Sequence, residues 1–190
     1  MTRRQLLAAL SAAGLPVAAL AQQLPRPAGE IEFVSHTGER IKLSSLKGKV
    51  VAVEVLLTTC PGCQRSATAL SKLQTEYRAR GFQVIGLAIN EGAGPQLPGF
   101  TNSYAKTFPV GVYPQEKAFA FLQHSVMSRV LMPQVAFVDR AGNVREQHGG
   151  SDAFFNDEEK SMRAVIEKLL KEPGGAATKS APKSASKKKS

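Results

Sequence analysis

The stretch LLTTCPGCQR, Leu56 to Arg65, holds both cysteines of the chain, Cys60 and Cys63, separated only by Pro61 and Gly62. Two thiols with His36, His124 and His148 match none of the spacings of structural zinc sites, so no metal is expected. A purely structural disulfide is a weak account as well, because closing so short a loop constrains the unfolded chain little in the chain-entropy picture. What remains is thiol chemistry: a redox pair, or a single peroxide-reducing cysteine.

The residues on either side decide between loop and scaffold. VVAVEVLL, Val50 to Leu57, is a nearly continuous apolar run, as expected of a central strand buried on both faces. Glu54 alone breaks it. After the cysteines, Ala67, Leu70, Leu73 and Tyr77 recur at intervals of three and four, which predicts a helix from Cys60 to Arg80 that Gly81 stops. Cys60 therefore falls at a strand-to-helix junction, where free N–H groups and the helix dipole favour a negative sulfur, and it is expected to ionise more easily than a free cysteine. Residues three apart share one side of a helix, so Cys63 is placed to reach the sulfur of Cys60. Pro61 suits the first helical turn. Gly62, without a side chain, leaves room for a substrate chain.

Further out, the chain alternates strand-like and helix-like segments, the pattern of a layered α/β fold. IEFVSHTGERIKLSSLKGK predicts a hairpin turning at Thr37 and Gly38, and FQVIGLAI a second buried strand. NEGAGPQLPG, residues 90–99, reads as a Gly/Pro loop, followed by short helices over Phe100–Phe108 and Gln115–Gln123. PQVAFVDRAGNVREQHGG reads as a hairpin turning at Ala141 to Asn143, and Asp157–Lys171 as a closing amphipathic helix.

The two ends differ in kind from this body. Residues 1–21 carry Arg3 and Arg4, a weakly apolar run from Leu6 to Leu20, and small residues at Ala19 and Ala21, the three-part layout of a cleavable export signal. Gly14 and Pro16 interrupt the run, which is shorter than the roughly 20 apolar residues of a membrane span. The paired arginines suit a twin-arginine signal as well as an ordinary one. Residues 173–190 hold five lysines and no acid among Gly, Ser, Ala and Pro, a composition expected to stay disordered. Such a tail is a solvated appendage or a contact for an anionic envelope surface. The net charge of +10 belongs largely to these ends: without Arg3, Arg4 and the tail lysines, residues 22–172 carry +3. That body, one domain by length, shows no basic stripe, so nucleic acid is not an expected partner.

In their order, LKGKVVAVEVLLTTCPGC, FQVIGLAIN, YAKTFPVGV and MPQVAFVDRAGNVREQHGG resemble the thioredoxin-like superfamily, and within it the exported TlpA/ResA-like thiol-disulfide oxidoreductases and their redoxin relatives. The resemblance covers Ile31 to about Leu170. It implies an α/β thioredoxin-like fold, a central mixed β-sheet flanked by helices with an N-terminal β-hairpin. It also implies that Cys60 attacks and Cys63 resolves, and that Met132–Pro133 is a cis peptide bond opposite the cysteines, presenting the Met132 backbone to substrate. On the residues alone, Pro133 simply starting a strand stands equally. Similarly, thioredoxins place a buried acid where Glu54 lies. A carboxyl there is expected to have a raised pKa and to take a proton from Cys63; the alternative is an acid at a strand edge or paired with a lysine. Glu91, in the loop after the second strand, lies near where the TlpA/ResA-like proteins carry a glutamate close to the active site, which the resemblance would make a second candidate for proton transfer; on the residues a solvated loop acid is the leading reading.

The chain departs from the family at two substrate-facing positions, with Thr59 where tryptophan usually precedes the first cysteine and Met132 where threonine often precedes the proline. The peroxiredoxin signature P-x-x-x-T-x-x-C fails, since Val53 and Leu57 occupy its proline and threonine positions. The expected protein is thus a bacterial periplasmic or otherwise extracytoplasmic monomer exchanging its Cys60–Cys63 pair with protein thiols and disulfides as a reductant, a direction that Pro61 and Gly62 do not themselves disclose, with a membrane thiol carrier as the family's electron donor. No cofactor is expected: there is no phosphate loop, and Gln64 follows Cys63 where haem attachment needs histidine. A thiol peroxidase and a non-catalytic thioredoxin-fold module tethered by its tail are the other readings.

Overall fold

The computed structural model describes residues 24–125 and 129–173. The expected export signal and all but Pro173 of the lysine tail lie outside these residues. Eight strands and four helices follow one another: β1 Arg26–Pro27, β2 Glu32–Val34, β3 Arg40–Lys42, β4 Val50–Leu56, α1 Pro61–Tyr77, β5 Phe82–Ala88, α2 Ala93–Ser103, β6 Val110–Val112, α3 Gln115–Phe121, β7 Gln134–Val138, β8 Asn143–Gly149 and α4 Glu158–Lys171. Six strands form one mixed sheet in the order β1-β8-β7-β4-β5-β6, while β2 and β3 pair as a separate hairpin.

The apolar run Val50–Leu56 is the centre of the sheet, parallel to β5 and antiparallel to β7, and all seven of its residues are buried. Strand side chains alternate between faces. Val50, Ala52 and Leu56 join the core beneath α1, α2 and α4, whereas Val51, Val53 and Val55 join the core under α3 and the β2–β3 hairpin. Glu54 falls on the first of these faces. The α1 stripe of Ala67, Leu70, Leu73 and Tyr77 packs against it, and Gly81, at φ 86°, ends the 3-10 turn that follows. No helix among the described residues is long and apolar enough to cross a membrane.

The stretch NEGAGPQLPG is a loop only over residues 90–92, and the helix expected over Phe100–Phe108 starts earlier and ends at Ser103. Ala93–Ser103 is helical, with Pro98 inside it, because Ala93, Leu97, Phe100 and Thr101 form a buried stripe. Burial of that stripe outweighs the poor propensity of its glycines and prolines. Pro95 sits in the first turn, where its missing N–H has no partner to lose.

Candidate active site

The turn from β4 into α1 brings the thiols together. Cys60 is the N-cap of α1 in extended conformation, with Pro61 as the first helical residue. Cys60 Sγ accepts the backbone N–H of Cys63 at 3.4 Å, which answers one of the donors left free at a helix start. Both cysteines are free thiols, Cys60 half-buried and Cys63 buried. Cys63 Sγ accepts the N–H of Leu57 at 3.5 Å. Burial pushes the Cys63 thiol well above the ordinary cysteine range; the Leu57 N–H opposes this, and Glu54 and Cys60 add to it.

Glu54 lies beneath that first turn. It is fully buried, and neither carboxyl oxygen has a hydrogen-bond partner. Burial pushes its pKa up to about 8, with the Glu158 carboxylate and Cys60 adding to the rise. The Ser66 hydroxyl acts in the opposite sense, but it too is buried without a partner in hydrogen-bond geometry. Glu158, at the start of α4, is itself raised by burial, with Arg65 3.9 Å away lowering it. A protonated carboxyl near neutral pH, a high-pKa thiol and a half-exposed thiol are thereby stacked through the start of one helix.

The loop before β7 covers this end. The Met132–Pro133 bond is cis. Pro133 is buried and Met132 half-buried, and Met132 packs against both cores. A Cβ on Gly62 would lie 3.3 Å from Pro133 Cδ and 3.7 Å from both Cys60 Sγ and the Met132 carbonyl oxygen. Gly62 thus lets the Met132–Pro133 backbone come close to the Cys60 sulfur. The same carbonyl would collide with a Cβ on Gly150, so a second glycine lets the chain close on this loop from behind. Thr59 and Pro61 are exposed beside Cys60. Glu91 is exposed as well, in the loop between β5 and α2.

A further group, Thr58, gives no signal in the sequence. Two residues before Cys60, it is buried, and its N–H donates to Asn90 Oδ1 at 2.9 Å while its hydroxyl donates to Gln96 Oε1 at 2.6 Å. Its carbonyl accepts Gln64 Nε2 at 3.2 Å. The loop carrying Cys60 is therefore tied to the end of β5, to α2 and to α1. Partners 32 and 38 residues away leave no local pattern to read.

A family model described as Redoxin matches residues 21–166. The chain belongs to the Redoxin family. Among relatives, the thioredoxin-like protein YneN of Bacillus subtilis is 28% identical over 131 residues, covering 68% of this chain and 71% of that protein. The thiol-disulfide oxidoreductase ResA of Halalkalibacterium halodurans is 36% identical over 75 residues, 38% of this chain and 41% of its own length. A solved thiol:disulfide interchange protein of the thioredoxin family from Chlorobium tepidum is similar, with a TM-score of 0.64 and 25% identity over 79% of this redoxin and 99% of that chain. The fold is thioredoxin-like, with the expected mixed sheet, flanking helices and N-terminal hairpin. Thiol-disulfide oxidoreductase activity is what the family, these relatives and the cysteine pair together support.

Proposed function

We propose that this redoxin is an exported protein-disulfide reductase. The observation that carries the reading is the stack of Cys60, Cys63 and the unpartnered Glu54 at the start of α1. The Cys60 thiolate attacks a substrate disulfide, forming a mixed disulfide and releasing the first substrate sulfur as a thiolate. Glu54, ionised, takes the proton of Cys63 directly or through water; the Cys63 thiolate then attacks Cys60 Sγ, and the second substrate sulfur leaves. Two electrons pass to the substrate, and the Cys60–Cys63 disulfide forms. Thr59, Pro61, Gly62, Met132 and Pro133 form the surface that receives the substrate chain, with Met132 offering backbone rather than charge.

The reducing direction rests on the sulfur's surroundings. A strongly oxidising pair owes its potential to a stabilised reduced form, and among the described residues Cys60 Sγ accepts its hydrogen bond from an uncharged backbone N–H, that of Cys63, rather than from a cation. In an oxidising envelope such a reductant requires re-reduction, for which a membrane thiol carrier is the suitable donor class. Residues 1–21 serve as the export signal, 22–172 as the catalytic domain, and 173–190 as a cationic tail suited to an anionic surface. The protein acts as a monomer.

Titration of the mature chain against a dithiol buffer, with free thiols counted by alkylation and mass, tests this. The expected result is a reversible two-electron transition near about −270 mV, the thioredoxin end of the range. A value near about −120 mV would reverse the direction, and no reversible exchange would remove the oxidoreductase reading.

A further inference from the structure

The end of the sheet away from Cys60 gathers cations, most of them exposed and outside any ion pair among the described residues. Lys47 and Lys49 enter β4, Arg78 and Arg80 follow α1, Arg140 lies in the β7–β8 turn, and Lys171 ends α4. Hydrogen bonds join these segments into one surface: Val50 N–H to the Gly81 carbonyl, Gly48 N–H to the Arg140 carbonyl, and Arg140 Nη1 to the Glu172 carbonyl at 2.8 Å. Lys47, Lys49, Arg78, Arg80 and Lys171 are exposed, and no ion pair is formed by them among the described residues.

Three of the acids at this end already hold partners. Asp139 Oδ1 accepts the N–H groups of Ala141 and Asn143 and its Oδ2 pairs with Arg145, Glu172 takes two bonds from the same arginine, and Glu30 accepts the Ser44 N–H. Glu39 adds an exposed carboxylate at the rim, in a recess shared with Arg78. The chain leaves α4 here, held by Arg140 and Arg145 at Glu172, and the 17 residues that follow Pro173 contain five lysines and no acid.

We propose that this basic end docks on an anionic phospholipid bilayer and presents Cys60 to the aqueous side. The seven residues of β4 alone set the two ends about 20 Å apart at about 3.3 Å per residue. A bilayer fits better than a single small anion because the cations spread from the end of α1 to the end of α4. The recess of about 330 Å³ between Lys47 and Lys49 is also lined by Glu30 and Asp139, so it is no anion cradle by itself. Headgroups that diffuse laterally gather under such dispersed charge. The inference deepens the reading of the tail given above and is independent of the direction of the thiol chemistry.

The test is co-sedimentation of the mature chain with neutral phosphatidylcholine vesicles and with vesicles carrying about 30% phosphatidylglycerol, at low and high salt. Binding is expected only to the anionic vesicles and falls with salt. Lys47→Gln with Lys49→Gln lowers the partition coefficient roughly 25-fold, about fivefold per lysine near the surface, and leaves dithiol exchange unchanged. A fluorophore on Cys60 stays equally open to iodide quenching when bound. Equal binding to neutral vesicles, full binding by the double variant, or shielding of the Cys60 probe would each overturn the proposal. Binding to a soluble polyanion such as heparin without binding to the anionic vesicles would overturn it in favour of a polymer partner.

Discussion

The two ends of helix α1 show how one element can serve opposite chemistries. At its start, Cys60 caps the helix and receives a free backbone N–H, with a carboxyl and a thiol buried close by. At its finish, Arg78 and Arg80 stand exposed where the dipole favours cations, Arg80 resting 5.2 Å from the centre of the Tyr77 ring. The start buries a carboxyl and a hydroxyl that have no hydrogen-bond partner, and the finish exposes charges that form no ion pair among the described residues. Leaving Glu54 unpartnered costs stability, as burial of any unsatisfied polar group does, and on the mechanism proposed above it keeps a proton acceptor next to a thiol of high pKa. The exposed arginines and lysines cost almost nothing and leave their charge available to a partner.

The comparison breaks most sharply at the cysteines. Cys60→Ser is expected to lower disulfide reduction by about three orders of magnitude or more, the scale of losing a nucleophile. Cys63→Ser keeps the attack and loses the release, so the substrate mixed disulfide accumulates and is seen as an added mass on the intact protein. Neither change touches the basic end, so vesicle binding is expected to stay as in the parent.

Glu54→Gln comes next. Loss of the proton acceptor slows release of the second substrate thiol by about 100-fold, the low end for general base catalysis. Only the ionised carboxyl accepts a proton, so the parent release rate rises with pH up to about 8, and that inflection vanishes in the variant. Stability moves the other way. The folded state holds the Glu54 proton up to about pH 8 while the unfolded chain releases it near 4.5, so the parent loses stability as pH rises through this window, on the order of 1.4 kcal/mol per unit. Urea unfolding at about pH 5 and about pH 9 is expected to show that slope in the parent and not in the glutamine variant, which is the more stable of the two at the higher pH. A variant that retains the slope would place the titration elsewhere.

Thr58→Val sharpens the contrast at a smaller scale. It removes the hydroxyl donated to Gln96 and accepted from Asn90 but keeps the backbone bond to Asn90, at an expected cost of about 1–2 kcal/mol in urea. Because the Cys60 turn loses its tie to α2, exchange slows a few-fold. The basic end is indifferent.

What the sequence discloses follows the range of the interactions. The Val50–Leu57 run, the stripe of α1 and the stop at Gly81 are local patterns, and they are enough to place Cys60, Pro61, Gly62 and Cys63 at a strand-to-helix turn. Glu54 is legible as an acid interrupting an apolar strand, and its face follows from parity with Ala52 and Leu56. The Thr58–Asn90–Gln96 cluster, the approach of Gly62 to Pro133 and the place of Glu158 beside Glu54 depend on contacts across tens of residues. The segment of α2 reads as a loop because Gly92, Gly94, Pro95 and Pro98 are turn formers, and only the packing of Leu97 and Phe100 favours the helix. β1, two residues long, carries no periodicity to detect. The basic end is hidden for another reason: Lys47, Arg78, Arg140 and Lys171 are scattered through a body whose net charge is only +3.

The smallest effect is expected where the basic end holds its own acid. Arg145 pairs with Glu172 through two bonds, 2.6 and 3.1 Å, and with Asp139 at 3.2 Å. The arginine side chain is 29% exposed and that of Glu172 34%, so water and salt screen the pair. Arg145→Met keeps the stem that packs along β8 and removes the charge, and exposed pairs of this kind contribute about 0.2–1 kcal/mol. Asp139 keeps its bonds from the Ala141 and Asn143 N–H groups, so the β7–β8 turn stays formed. Amide exchange is expected to quicken in the last turn of α4 and to stay unchanged at Cys63 and along β4, with thiol-disulfide exchange as in the parent. A loss of activity instead would mean that the two ends of the sheet are mechanically coupled, and that the separation between a buried reactive end and an exposed docking end is one of position only.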